Sequence, residues 1–115
     1  MEFILVMIET EDFRRENLEG QIEHHRRTNN WMMALAQAGR LLNIERFDSH
    51  SAGPITVRRD HDRRLSVSTG PFANEHERLT GYVIVKAEHF EEAVEIAKTC
   101  DASGAIEVRA LRVAT

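Results

Sequence analysis

Two short runs of nearly unbroken apolar residues interrupt an otherwise polar chain: Phe3 to Ile8, and Tyr82 to Val85 after Gly81. Runs of this length, bounded by charge or glycine, predict strands buried on both faces. Between them the period changes. From about Leu18 to Ala38, the residues Leu18, Ile22, His25, Asn29, Met32, Met33 and Ala36 recur at steps of three or four. That spacing predicts a helix with this face turned inward. Gly39 stands where such a helix ends. Gly20 weakens the first turn by about 1 kcal/mol relative to Ala, which favours a later start. Glu9 to Asn17 is polar and acidic, a loop or a helix entrance.

Past the helix, Leu42, Ile44 and Phe47 suit a strand over Leu41–Phe47, and the segment from Ser49 to Pro54 has loop composition. Ile55–Arg59 and Arg64–Ser68 pattern as a hairpin, with Thr56–Arg58 opposite Leu65–Val67 and Asp60, His61, Asp62 and Arg63 at the tip. Thr69–Thr80 reads as a connection and Gly81–Ala87 as a strand. Phe90–Cys100 reads as a helix whose stripe is Phe90, Ala93, Val94, Ile96, Ala97 and Cys100. Glu91 and Glu92 at its start and Lys98 near its end suit the helix dipole. Ala105–Val113 alternates apolar and polar residues as a last strand.

The order is therefore β-α-β, hairpin, β-α-β. It predicts one ferredoxin-like α+β domain over residues 1–115, an antiparallel sheet with both helices on one face. The apolar strands have a second face to bury. Stacking two such sheets would do it, which predicts a homodimer in the manner of a dimeric α+β barrel.

Charge narrows the partners. A net charge of −4 argues against nucleic acid. Basic residues are thirteen Arg and two Lys, a bias that fits an anionic ligand as well as it fits genome composition. The opening apolar run is short, with Glu2 before it and Glu9 after it, so it predicts a strand and not a leader. No run approaches the roughly 18 apolar residues of a membrane span. A soluble, cytoplasmic protein is the expectation. Cys100 is the single cysteine and sits on an apolar stripe, as filler. His24 and His25 are adjacent, no His-Glu-x-x-His or Cys pair exists, and no Gly-rich phosphate loop is present. Neither a metal nor a cofactor is expected.

The long helix carries the most unusual polar residues. His25 and Asn29 lie four apart on a face that also holds Ile22 and Met33. As a candidate catalytic pair, His25 would serve as general base and Asn29 would orient substrate or stabilise an oxyanion. The alternative is that both are merely solvated. His24 projects about 100° away and is expected outside. Trp31 suits a pocket wall, a dimer interface or ordinary core packing, and the Tyr82 ring could reach a cleft.

The segment Ser68-Thr69-Gly70-Pro71-Phe72-Ala73 leads some nine residues on into Gly81-Tyr82-Val83-Ile84. Then come Phe90-Glu91-Glu92-Ala93-Val94 and Ile106-Glu107-Val108-Arg109. In order and spacing this resembles the YCII-related family in its DGPF branch, specifically over residues 66–112 and topologically over 9–55. The resemblance implies a ferredoxin-like fold of the dimeric α+β barrel type in bacterial, cytoplasmic proteins, often of unassigned function. DGPF members are frequently found near sigma factors, and the related YciI branch carries a His with a nearby Asp. It also brings Thr69 and Phe72 toward a ligand pocket with Trp31 and Tyr82. The motif's leading Asp is Thr69 here, and Asn74 stands where Glu is common. Two functional classes follow. One is a small-molecule enzyme without metal, with its pocket between the long helix and the sheet. The other is a non-catalytic ligand-binding or regulatory module associated with transcription.

Overall fold

The computed structural model describes residues 1–48, 53–71, 78–101 and 104–112. Strand β1 (Glu2–Glu9) leads through a short helix α1 (Glu11–Arg14) to the long helix α2 (Leu18–Gln37) and strand β2 (Leu41–Arg46). A hairpin of β3 (Ile55–Arg59) and β4 (Leu65–Thr69) follows. Strand β5 (Arg78–Lys86), helix α3 (Phe90–Lys98) and strand β6 (Ala105–Ala110) complete the order. The main sheet runs β2-β5-β1-β6 with every neighbouring pair antiparallel. Each βαβ unit thus has its two strands separated by a strand of the other, which is the ferredoxin-like arrangement. The sheet is open, and no barrel closes within the described residues.

Alternation along the strands sorts the two faces. Phe3, Leu5, Val83 and Val85 are fully buried on the inner face. Trp31, Met32 and Leu35 of α2 and Ala93 and Ile96 of α3 pack over them. Each large side chain removed from water there contributes about 1.5–3 kcal/mol. Ile4, Val6 and Ile8 point the other way and are only half-buried, because both helices cover the same face.

Helix α2 keeps its first turn despite Gly20. The Asn17 side chain caps it by accepting from Gly20 N at 2.8 Å. At the other end Gly39 takes φ 71°, and Arg40 N reaches back to Leu35 O at 3.0 Å. The left-handed turn that follows many helices needs a residue without Cβ strain, which glycine supplies.

The inward face of α2 is rotated from the one the periodicity predicts and shares only Met32 with it. Leu18, Ile22 and Met33 are 72, 58 and 59% exposed, while Thr28, Trp31, Met32 and Leu35 are buried. The second half of α2 is apolar nearly all round, so its spacing leaves the phase open. The largest side chain decides it. Trp31 buries its ring in the core and donates Nε1–H to Thr99 Oγ1 at 2.8 Å, tying α2 to the end of α3.

Other boundaries shift for local reasons. Segment 9–17 contains α1, pinned by buried Phe13. In β2 it is Leu41 and Ile44 that pack on the core, whereas Leu42 and Phe47 are exposed, with a register irregularity between Leu41 and Asn43. The hairpin register is one residue from the predicted one, with Val57 opposite Val67 and Thr56 opposite Ser68. Asp60 Oδ1 accepts from the backbone N–H of both Asp62 and Arg64, which draws Arg64 into the turn. Strand β5 begins at Arg78, three residues before Gly81. No helix among the described residues is long and apolar enough to cross a membrane.

Candidate functional site

Near the β1 end where Met7, Ile8 and Glu9 run out, the two helices do not meet over the sheet. A cavity of about 310 Å³ opens there. Its floor is the inner sheet face, Met7, Ile106 and Val108, and one wall is α3 through Val94, Ala97 and Cys100. Gly104 lines the rim at φ 114°, and a Cβ there would stand 2.5 Å from Ile8 O. Only glycine permits β6 to approach β1 so closely at this edge.

The opposite wall carries the polar groups. His24, His25 and Thr28 come from α2, and Arg46, Thr80, Glu9 and Lys98 complete the rim. Apolar walls with a few convergent polar groups are the ordinary make-up of a small-molecule site, and this volume is at the small end of such sites.

His24 heads the buried stripe of α2, with Thr28, Trp31 and Leu35 below it. Its side chain is 16% exposed, and Nε2 lies 3.5 Å from Glu16 Oε1. Phe13 of α1 is buried against both imidazoles, with ring centroids 5.4 Å from His24 and 5.6 Å from His25. The short helix therefore closes one side of the cavity and orients the two rings. Glu16 can fold back beneath α2 because position 20 has no side chain: a Cβ on Gly20 would sit 2.6 Å from Glu16 Oε2. Thr28 is buried and satisfied, donating Oγ1–H to His24 O at 2.9 Å.

The candidate residues of the sequence are distributed as follows. His25 is exposed overall and lines the cavity rim. Asn29 is exposed and does not line the cavity, but its Oδ1 accepts from Arg46 Nη1 at 2.9 Å and so holds a guanidinium that does. Trp31 lies in the core and not on the cavity wall. Tyr82 is half-buried opposite Val6 and Glu45, on the sheet face turned away from the helices. Thr69 is exposed at the end of β4, paired with Ile55 in the hairpin. Phe72 and Asn74 lie outside the described residues.

His24, expected outside, proves the more enclosed of the two histidines, and Glu16 and Phe13 were not singled out at all. One signal for His24 was present. His24, Thr28, Trp31 and Leu35 follow steps of four, three and four, an equally regular helical stripe. Among the described residues no group of three or more His, Cys, Asp or Glu side chains is placed to hold a metal ion.

Of the models of protein families, that of the YCII-related domain matches residues 1–114, essentially the whole chain. No curated protein matches it.

Proposed function

The chain belongs to the YCII-related family, and from that premise we propose that it is a small-molecule enzyme that moves a proton without a metal, in the cavity between α2 and the sheet. The observation that carries this reading is that His24, on the wall of the cavity, has the Glu16 carboxylate behind it, with Nε2 3.5 Å from Glu16 Oε1. An imidazole can accept and return a proton, and a carboxylate beside it can hold the ring in position for the transfer. His25 supplies a second imidazole on the rim. Arg46, held by Asn29, and Lys98 offer positive charge to an anionic substrate group. These groups suit proton abstraction next to a carbonyl in a small carboxylic acid, with a cation near the carboxylate and an imidazole near the acidic C–H.

The regulatory alternative rests on Thr69 and Asn74 where the resemblance expects carboxylates and on the sigma-factor neighbourhood of similar proteins; Asn74 lies outside the described residues. Thr69 lies on the exposed hairpin and does not line the cavity, so the loss of a carboxylate there does not remove the His24–Glu16 pair.

The test is solvent-deuterium incorporation into a panel of small 2-oxo and 3-oxo carboxylic acids, followed by mass spectrometry. At least one member should gain deuterium faster with the protein than in buffer, and His24→Gln should abolish the gain while leaving the circular dichroism spectrum unchanged. The reading fails if no member exchanges above the buffer rate, or if exchange survives in both His24→Gln and Glu16→Gln.

A further inference from the structure

The cavity has two chemical halves, and the order of strands separates them. The sheet runs β2-β5-β1-β6. At about 4.8 Å per strand, its two edges stand roughly 14 Å apart. Helix α2 packs toward β2, and α3 packs over β1 and β6. The β2 half supplies Arg46 from the strand and the two imidazoles from α2. The β6 half supplies Val94 and Ala97 from α3, together with Ile106 and Val108 from the strand. Lys98, at the rim of that half, is held by Glu95, with Nζ 2.9 Å from its Oε1.

Arg46 is placed to take an anion. Its Nη1 donates to the uncharged Asn29 side chain at 2.9 Å, and among the described residues no carboxylate pairs with it. Arg15, Arg26, Arg40 and Arg109, by contrast, each lie against a glutamate. A guanidinium has five N–H donors in a planar fork, so most remain for a ligand, and a carboxylate fits that fork with two parallel bonds. Asn29 stands one turn after His25 on α2, about 6 Å along the axis, so the guanidinium it holds lies near the imidazoles. The hydroxyls of Thr28 and Thr80 already donate to His24 O and Met7 O. Imidazoles and guanidinium are therefore what meets the polar atoms of a ligand in this half.

A charge placed in the β6 half would be buried without a partner, which is costly, and Glu9 at the rim would repel a second carboxylate. Hydrocarbon is the chemistry that half fits. At about 30 Å³ for a water-sized group, a cavity of 310 Å³ has room for on the order of ten non-hydrogen atoms. A carboxylate with an oxo group beside it uses about half of that room, leaving a tail of about five carbons.

Resting on the reading of this cavity as a small-acid site, we propose that its substrates are monocarboxylates with a short hydrocarbon tail. The carboxylate sits on Arg46, which Asn29 positions. The tail crosses Met7 of β1 toward β6, along Val94 and Ala97. Ala97 sets the tail length, because α3 presents only a methyl group there. Dicarboxylates of the same length are rejected.

The test is an NMR titration of the full chain, read from backbone ¹H–¹⁵N shifts, with straight-chain acids from acetate to octanoate and with heptanedioate. None of these carries an oxo group, so their binding is independent of proton transfer. Affinity should rise about threefold per added methylene, as for burying a CH₂ group, and level off near heptanoate. Heptanedioate should bind at least about 10-fold more weakly than heptanoate. Arg46→Gln should weaken every acid by a similar factor of about 10 and keep the rise per methylene. Asn29→Asp keeps the acceptor but adds a competing carboxylate, and should weaken the acids more than Asn29→Ala does. Ala97→Leu should move the levelling point down by about three carbons, and Ala97→Val by less; the valine variant reads the same limit if leucine prevents folding. An affinity flat across the series, heptanedioate bound as tightly as heptanoate, or a levelling point unmoved in the folded Ala97 variants overturns the proposal, whatever the oxo acids do in the exchange assay. A series that behaves as stated while no oxo acid exchanges deuterium upholds the proposal and overturns only proton transfer.

Discussion

At the scale of single residues, the His24–Glu16 pair depends on position 20. Glycine inside a helix ordinarily costs about 1 kcal/mol against alanine. Here its bare Cα leaves room for the Glu16 carboxylate, whose other oxygen faces His24. Gly20→Ala should therefore raise stability by up to about 1 kcal/mol, because the obstructing atom is the end of a flexible side chain that can swing out. The same substitution should reduce activity in the deuterium-exchange assay by displacing Glu16 from His24. Urea unfolding and the exchange rate, measured side by side, should move in opposite directions. A variant that gains stability and keeps its rate would remove Glu16 from the mechanism. The sequence showed the histidines but not their order of importance. His24 and His25 each begin a plausible stripe, and only Trp31's bond to Thr99 chooses between them. Glu16 was illegible for a different reason: its reach to His24 spans eight residues and depends on the missing Cβ at position 20.

Elements were largely readable, because burial on both faces, helical period and turn chemistry each left a distinct mark. The runs Phe3–Ile8 and Tyr82–Val85 became the two central strands, and Gly39 ended α2. What failed was the rotation of α2, the inward set of β2 and the hairpin register, all fixed by tertiary contacts or by a side chain bonding its own turn. Two contacts that join elements can be tested. The Trp31–Thr99 bond fixes α2 on α3. Thr99→Val should cost about 1 kcal/mol by leaving the buried indole N–H unpaired. The cost should shrink in a Trp31→Phe background, as a double-mutant cycle in urea would show. Arg40 at the end of α2 pairs with Glu92 at the start of α3. The Arg40 hydrogen bond to its carboxylate holds Glu92 below its ordinary pKa of 4.5. A carboxylate whose pKa is depressed on folding adds stability above its unfolded value, and that stability is lost as pH falls through the folded one. Glu92→Gln should thus lower the melting temperature at pH 7, and the gap from the unaltered protein should narrow as the pH is taken down through and below 4.5. A gap that does not depend on pH would assign the effect to packing.

On the scale of the whole molecule, one division of labour organises the structure. The inner sheet face and two helices build the core, and where the helices diverge they leave a cavity walled by imidazoles. The outer face and the β3–β4 hairpin remain as apolar surfaces facing solvent. Chain order alone implied the interleaved sheet, since two βαβ units around one sheet leave few alternatives. The cavity was not implied, because it depends on where α2 and α3 part and on the side chains at that gap. On the proposed reading, the His24–Glu16 pair at the cavity wall serves a small molecule. The most direct test is an NMR titration that resolves the imidazole ¹⁵N resonances of His24 and His25, using the same panel of small oxo-carboxylic acids. At least one acid should shift both histidines saturably while His61, exposed at the hairpin tip, stays still, and Ala97→Phe, which fills the cavity, should abolish the response in a folded protein. Resonances of His24 and His25 that ignore every acid, or respond equally in Ala97→Phe, would contradict it.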